Sequence, residues 1–187
     1  MVALTLCGCT AQPPERGVVP SGGPPVIVPG EPGQPAATAT PGRRLGREQG
    51  PNAADVRFAE AMITHHRAAL DMALLVPSRT TSAPVRALAT RVALSQEAEI
   101  TWLTAWLGRL GRTAPHGHGH DMGALKAARG EAFDRLFLRE MIVHHEGALD
   151  LAAAVLDGGT DPAVRRLATD IDAAQSAEIE RMRGLLP

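Results

Sequence analysis

The chain has 187 residues and a formal net charge of −1, without any long run of lysine or arginine. This length suits one domain with an appendage, and the near-neutral charge argues against a nucleic-acid-binding protein, which needs a basic surface. Both cysteines, Cys7 and Cys9, lie at the N-terminal end, so no disulfide is expected in the body of the chain.

Residues 1–9 resemble the end of an apolar signal segment that carries a bacterial lipobox. Gly8 is a small residue placed directly before Cys9, the cysteine that would take the lipid. No later segment approaches the ~20 apolar residues of a membrane span. The sequence therefore predicts an extracytoplasmic lipoprotein attached to the cell membrane by lipid at Cys9, or a secreted protein if that cysteine is not lipidated.

Residues 10–51 are predicted to be a disordered linker. Nine prolines and eight glycines occur between residues 10 and 50. Such a composition buries too little apolar surface to offset the entropy of ordering the chain, and it is typical of semi-extended spacers.

Residues 52–187 contain an internal repeat with an offset of 79 residues, which separates His65 from His144. The same register aligns Phe58 with Phe137 and Glu99 with Glu178. The sequence thus predicts repeat one at 52–110, a connection at 111–130 and repeat two at 131–187, packed with pseudo-two-fold symmetry.

Each repeat is predicted to form two helices. Residues with helical spacing recur in the first helix of each repeat, and similar stripes follow in the second helices. The stripes of the first helices are Phe58, Met62, His65, Ala69, Met72 and Val76, and Phe137, Met141, His144, Ala148, Leu151 and Val155. Short loops make antiparallel hairpins, so the fold class is all-α, a four-helix bundle built from two repeated hairpins.

The predicted turns lie at Pro77-Ser78 in repeat one and at 157–159 in repeat two. The following helices are expected to begin near Ser82 and at Asp161-Pro162, where aspartate caps the helix and proline occupies its first turn. A further short helix is predicted at 122–129. Beside each turn, an aspartate and an arginine are placed to form a salt bridge: Asp71 with Arg86, and Asp150 with Arg165.

Polar residues interrupt the apolar stripes at matching heights of the two hairpins. Counted from the turn, His65 and Gln96 share one axial level, and Glu99 lies about one turn away. Buried polar groups without partners are costly, so mutual hydrogen bonds, water or a cation must satisfy this layer. It is either a structural His–Glu–Gln network or a metal site with the candidate ligands His65, His66, His144, His145, Met62, Met141, Glu99 and Glu178. Thioether and imidazole ligands favour copper, especially Cu(I), and zinc is the alternative.

The connection carries a third histidine cluster, His116, His118 and His120, spaced by glycines. Histidine-rich tracts of this kind are typical of metal binding. This cluster is a secondary candidate site, and a solvated linker is the other interpretation.

The segment 137–148 resembles the bacterial family described as "domain of unknown function 305". The motif Met-Ile-x-His-His-x-x-Ala-Leu-Asp occurs at Met62 and again at Met141, and the likeness extends from about Asp55 to Met182. The resemblance implies a ferritin-like four-helix bundle and an exported protein. Because some members of the family are linked to copper, it also implies Met62, His65, His66, Met141, His144 and His145 as copper ligands.

The leading functional hypothesis is a non-catalytic, exported metal-binding protein that sequesters copper or hands it over. The sequence does not identify a protein partner for it. A di-metal oxidase would need a Glu-x-x-His pair on two helices, but Trp102 follows Glu99 and Arg181 follows Glu178 at that spacing. A metal-free helical interaction module that senses pH through its histidines is the third hypothesis.

Overall fold

The computed structural model describes residues 26–28, 37–39, 50–117 and 122–186. Within the compact unit that begins at Gln49, the described chain forms four long helices and one short one. These are α1 (Ala53–Arg79), α2 (Ala83–Arg109), α3 (Gly123–Ala127), α4 (Gly130–Gly158) and α5 (Pro162–Leu185). The predicted all-α architecture of two repeated hairpins is therefore confirmed.

The preceding unit, Met1–Glu48, contains two short strands, β1 (Val26–Val28) and β2 (Ala37–Ala39). They pair antiparallel, with Val26 opposite Ala39. Val26, Ile27 and Val28 are β-branched, which favours extended backbone. Both strands lie within the range 10–51, for which the sequence predicts a disordered linker. The predicted lipobox with Cys9 lies outside the described residues.

Local sequence signals explain the helix starts. Asn52 caps α1 in a capping box, since its side chain accepts from the backbone of Asp55 and the Asp55 carboxylate accepts from the backbone of Asn52. Ser82 and Asp161 cap α2 and α5, as predicted. Helix α1 passes through Pro77 and ends at Arg79, three residues after Val76, the last residue before the predicted turn. Proline lacks the N–H that would bond to the carbonyl four residues earlier, so only one helical hydrogen bond is lost, close to the end of the helix.

Two arginines satisfy the last carbonyl groups of the helices that precede them. The Arg86 guanidinium donates to the main-chain oxygens of Thr80, at 2.6 Å, and Pro77, while Arg165 donates to that of Leu156 at 2.5 Å. Helix C-terminal carbonyls lack partners within the helix, and cationic side chains there are favourable. The sequence does not predict these main-chain partners, and Asp150, the aspartate predicted to pair with Arg165, is exposed.

Asp55 joins the start of repeat one to the turn of repeat two. Its side chain is fully buried, and its Oδ2 atom accepts from the backbone N–H groups of Asn52, Thr160 and Asp161 at 2.8–3.1 Å. In addition, Asn52 Nδ2 donates to the carbonyl of Gly158 at 2.8 Å. A first-turn carboxylate therefore fixes the end of one hairpin against the turn of the other.

The two hairpins meet through α1 and α4. Their apolar side chains form two clusters, one at each end of the bundle. One cluster contains Met72, Leu88 and Phe137, and the other contains Phe58, Leu103 and Ile171. None of the helices in the described part of the chain has the length and hydrophobicity needed to cross a membrane.

Candidate metal centre

A polar layer crosses the bundle between the two apolar clusters, where the sequence predicts it. Each long helix contributes one fully buried polar side chain, exposed by 3% or less: His66, Gln96, His145 and Gln175. Met62 and Met141, both 0% exposed, lie one helical turn before the two buried histidines. A buried thioether sulfur thus lies next to each of the two buried imidazoles on the same helix.

Each buried histidine pairs with a glutamate of its own hairpin. His66 Nε2 lies 2.5 Å from Glu99 Oε2, and His145 Nε2 lies 2.9 Å from Glu178 Oε2. The glutamate side chains are 18% and 11% exposed, so their outer atoms reach the edge of the layer. The hydrogen bond between histidine and glutamate in repeat one therefore recurs 79 residues later in repeat two.

The other two histidines meet each other across the α1–α4 contact. The ring centroids of His65 and His144 are 3.7 Å apart, with the rings tilted by 42°. His144 Nε2 donates to the main-chain oxygen of His65 at 2.9 Å. Gly147 makes room for this arrangement, since a Cβ at that position would lie 3.1 Å from His65 Nε2.

These two central imidazoles are held neutral. Burial, followed by the nearby His66 and His145, lowers the pKa of His65 from 6.5 to about 4. Burial, with His65 as the next contribution, lowers the pKa of His144 from 6.5 to about 3. A neutral imidazole keeps one nitrogen lone pair, which is the form that binds metals.

The donor atoms present suit a soft or borderline metal ion. Among the described residues, the Nδ1 atoms of all four histidines are buried without a hydrogen-bond partner, as are the side-chain amides of Gln96 and Gln175. Such orphaned nitrogens are rare unless a ligand or water satisfies them. The described residues nevertheless contain no group of three or more His, Cys, Asp or Glu already arranged around one point. Binding of a metal ion by three or more of these ligands would therefore require their side chains to change rotamer.

A surface groove of about 790 Å³ leads to the central pair. It is lined by His65 and His144 together with Ala61, Thr64, Ala68, Arg139, Glu140, Val143 and Leu151. The walls are largely apolar, and Val143 is 67% exposed. The two histidines of low pKa are consequently reachable from solvent, whereas His66 and His145 are not.

The connection between the repeats passes beside this groove. The Arg67 side chain donates to the main-chain oxygen of Pro115, and a Cβ at Gly117 would lie 3.4 Å from the Thr64 methyl group. His116 is exposed, while His118 and His120 lie outside the described residues. The described start of the secondary candidate site is thus adjacent to the helix that carries His65 and His66.

The sequence correctly predicts that the four histidines lie in one layer, but it predicts the wrong member of each doublet as the more buried one. It places His65 and His144 in the core stripes and His66 and His145 at their edges, whereas the structure buries the latter completely. The reason is that α1 packs against both α2 and α4, so its buried surface is wider than one stripe. The residue next to each stripe faces the partner helix of its own hairpin.

The repeat that carries the two His-His doublets matches a known family twice. The family profile described as "Domain of unknown function (DUF305)" matches this chain twice, at residues 55–121 and 112–186. The chain belongs to the DUF305 family.

Solved structures of similar proteins share the bundle. A DUF305 fragment from Deinococcus radiodurans is 32% identical, with a TM-score of 0.67 over 72% of this chain and 96% of that one. A DUF305 protein from Streptomyces coelicolor, named as a candidate secreted protein, is 28% identical, with a TM-score of 0.67 over 71% of this chain and 89% of its own.

CopM is also similar to this DUF305 chain. It is 33% identical, and in its Cu(I)-bound form the TM-score is 0.65 over 70% of this chain and 94% of CopM. CopM has also been solved with Cu(II), with silver and in the apo form. Metal-bound structures therefore exist for a protein similar to this one.

A shorter match links the chain to protein L153 of Acanthamoeba polyphaga mimivirus, which is 37% identical over 62 residues. This stretch spans 32% of the DUF305 chain and 41% of the viral protein. The likeness to L153 thus concerns part of each protein.

Proposed function

We propose that this DUF305 protein is an exported, non-catalytic metal-binding protein that holds copper in the polar layer, for sequestration or for hand-over to another molecule. The proposed ligands are the four histidines of the layer, with Met62 and Met141 as sulfur donors. Glu99 and Glu178 complete the layer around them.

One observation carries this proposal. Four buried Nδ1 atoms without partners among the described residues lie in the layer, and one buried methionine flanks it on each side, Met62 in one apolar cluster and Met141 in the other. A purely structural network would be expected to satisfy its own nitrogens, because each unsatisfied buried polar group costs about 1–3 kcal/mol. A bound cation would satisfy them instead.

Copper is favoured over other metals by the type of donor. Imidazole suits copper and zinc, but buried thioether sulfur selects copper, and Cu(I) in particular. Magnesium and calcium prefer oxygen ligands, of which the layer contains few. The copper-bound and silver-bound forms of CopM support the same choice.

The absence of a di-iron pattern supports binding rather than catalysis. In repeat one, Trp102 occupies the position where a Glu-x-x-His pair would place a histidine after Glu99, and in repeat two Arg181 does so after Glu178. Glu99 and Glu178 are instead bonded to His66 and His145. We therefore propose retention and release of a metal ion rather than turnover of a substrate.

Export is supported by the leader-like residues 1–9 and by the Streptomyces relative. We further propose that Cys9 carries a lipid and that the linker holds the bundle away from the membrane surface. Replacing Cys9 by serine in cells should move the protein from the membrane fraction to the soluble fraction. Equal membrane association of the two forms would contradict lipidation.

The first test of metal binding is copper titration of the purified full chain after chelation and desalting, with zinc and iron as competitors. We expect one or two tightly bound copper ions per chain. The variant His65→Ala with His144→Ala should lose this tight binding. Retention of wild-type stoichiometry in that variant would contradict the proposed site.

A matched loop variant separates the two histidine groups. Replacing His116, His118 and His120 by alanine leaves the layer untouched and should retain the tight copper ions. Loss of all copper in the loop variant alone would assign binding to the connection and leave the layer structural.

A further inference from the structure

We propose that Glu99 and Glu178 are positioning residues: each holds the Nε2–H of its histidine, so that His66 and His145 present Nδ1 to the metal, and neither glutamate ligates it. This inference rests on the proposed metal-binding function for its second half. Its first half, the tautomer of the two rings, follows from their hydrogen bonds in the metal-free protein.

The partners of Nε2 fix which nitrogen carries the proton. A carboxylate oxygen can only accept, so the short contacts from His66 to Glu99 and from His145 to Glu178 place the hydrogen on Nε2. A neutral imidazole has one N–H group, and its other nitrogen is then a bare lone pair. Nδ1 of both rings is buried and has no partner among the described residues.

His144, one ring of the central pair, has the same tautomer without any carboxylate partner. His144 Nε2 is 2.9 Å from the main-chain oxygen of His65, and a carbonyl cannot donate. The Nε2–H form of His144 is therefore required as well, and its Nδ1 is again buried without a partner in the described residues. Three rings from two repeats thus adopt the same tautomer through two kinds of acceptor.

Each methionine is on the same helix as its histidine, whereas each glutamate is on the other helix of the hairpin. Met62 is four residues before His66, and Met141 is four residues before His145, a spacing that makes side chains neighbours on one helix. Glu99 and Glu178 approach from α2 and α5 on the Nε2 edge of each ring. The two ring nitrogens point in different directions, so Nδ1 would be free to hold a metal while Nε2 stays bonded to the carboxylate.

A carboxylate bonded to Nε2 affects how strongly Nδ1 of the same ring binds a metal. It fixes the ring orientation and makes the other nitrogen a more basic ligand, and removal of such partners typically costs about 10–100-fold in metal affinity. The charge of Glu99 and Glu178 would thus strengthen copper binding without direct contact. Each repeat supplies one such carboxylate, histidine and methionine set.

The tautomer is tested first on the metal-free full chain with 15N-labelled histidine. NMR correlations within each ring distinguish a protonated nitrogen from a bare one. We expect the Nε2–H form at His66 and His145, assigned by loss of their signals in single His→Gln variants. The Nδ1–H form at either ring would overturn the proposal, whatever the protein does with copper.

The positioning role is tested with Glu99→Gln and Glu178→Gln. Glutamine keeps an oxygen that accepts from Nε2–H but lacks the charge. We expect the tautomer and the number of bound copper ions to persist while copper affinity falls by about 10–100-fold. Glu97→Gln, the same change at an exposed site two residues away on α2, is the matched control and should leave affinity unchanged.

X-ray absorption of the copper-loaded proteins completes the test. If the glutamates only position the rings, the ligand shell of the Glu→Gln variants matches that of the wild type. Loss of an oxygen ligand, or of one copper ion for each glutamate replaced, would make them ligands and overturn the proposal. If the wild type binds no copper, the proposed function fails, and the NMR result still decides the tautomer.

Discussion

Two pairs of histidines that are adjacent in sequence occupy different environments in this bundle. His66 and His145 are fully buried, and each is held by a glutamate of its own hairpin. His65 and His144 face each other at the base of a groove, and the hydrogen bond between them goes to a main-chain oxygen. The repeated His-His doublet therefore supplies an inner pair, His66 and His145, and an outer pair, His65 and His144.

The difference shows how helix geometry separates neighbouring residues. Successive side chains of an α-helix point about 100° apart, so the doublet on α1 faces α2 with one ring and α4 with the other. The inner pair contributes to the stability of each hairpin, and the outer pair joins the hairpins and reaches solvent. Loss of either pair should therefore have distinct consequences.

The largest expected effect is on the stability of the metal-free protein. His66→Ala or His145→Ala leaves a largely buried carboxylate without its donor, and each should lower the free energy of unfolding by about 2–4 kcal/mol. Urea unfolding followed by circular dichroism measures this change. His65→Ala and His144→Ala, at partly exposed positions, should each cost about 1 kcal/mol or less. Equal losses at inner and outer positions would remove the distinction between the pairs.

A smaller effect is expected on the pH dependence of stability. The pKa of His65 is lowered from 6.5 to about 4 and that of His144 to about 3, so the unfolded chain binds more protons than the folded one in this range. Their contribution to stability is thus fully present above pH 6.5 and declines as the pH falls toward 4 and 3. Urea midpoints measured from pH 7.5 to 4 should decrease accordingly.

The variant His65→Gln with His144→Gln isolates this contribution. This variant retains the inner pair and all carboxylates. Any loss of stability that it still shows at low pH is therefore caused by groups other than His65 and His144. We expect a shallower decline of the midpoint below pH 6.5 than in the wild type. Parallel curves for the two proteins would show that the outer pair does not titrate as described.

The smallest expected effect concerns Gly147, which lies against His65. Alanine there gains about 0.5–1 kcal/mol from helix propensity, but its Cβ at 3.1 Å from Nε2 must displace the ring slightly. Since His65 is only partly buried, we expect the ring to yield, with a net gain of about 0.5 kcal/mol. The NMR shifts of His65 should change, and those of His66 should not.

Gly108 provides a comparison for that substitution. A Cβ at this helical position meets nothing within 4 Å. Gly108→Ala should therefore stabilise slightly without moving any histidine signal. A net loss of stability in Gly147→Ala alone would mean that the outer pair is packed too tightly to adjust.

Much of this fold could be predicted because its signals are local or repeated. The caps at Ser82 and Asp161 fix the helix starts, and the offset of 79 residues assigns matching helices to each repeat. The presence of a His–Glu–Gln layer followed from counting residues on either side of the turn. These features depend on spacing along one chain or within one hairpin.

The remaining features depend on contacts that spacing does not reveal. Which histidine of a doublet is buried depends on how α4 packs against α1, and the pairing of His66 with Glu99 follows from that packing. The main-chain partners of Arg86 and Arg165 were missed because a charged neighbour was the simpler expectation. Gly147 gave a weak signal, since it stands where repeat one has Ala68.

The clasp at Asp55 has a mechanical consequence. Chain preceding residue 50 joins the bundle immediately before Asn52 and Asp55, whose side chains hold the turn between α4 and α5. A pull transmitted through that chain would load these hydrogen bonds together instead of peeling α1 open one turn at a time. The first turn of α1 is therefore tied mechanically to a turn that lies more than one hundred residues further along the chain.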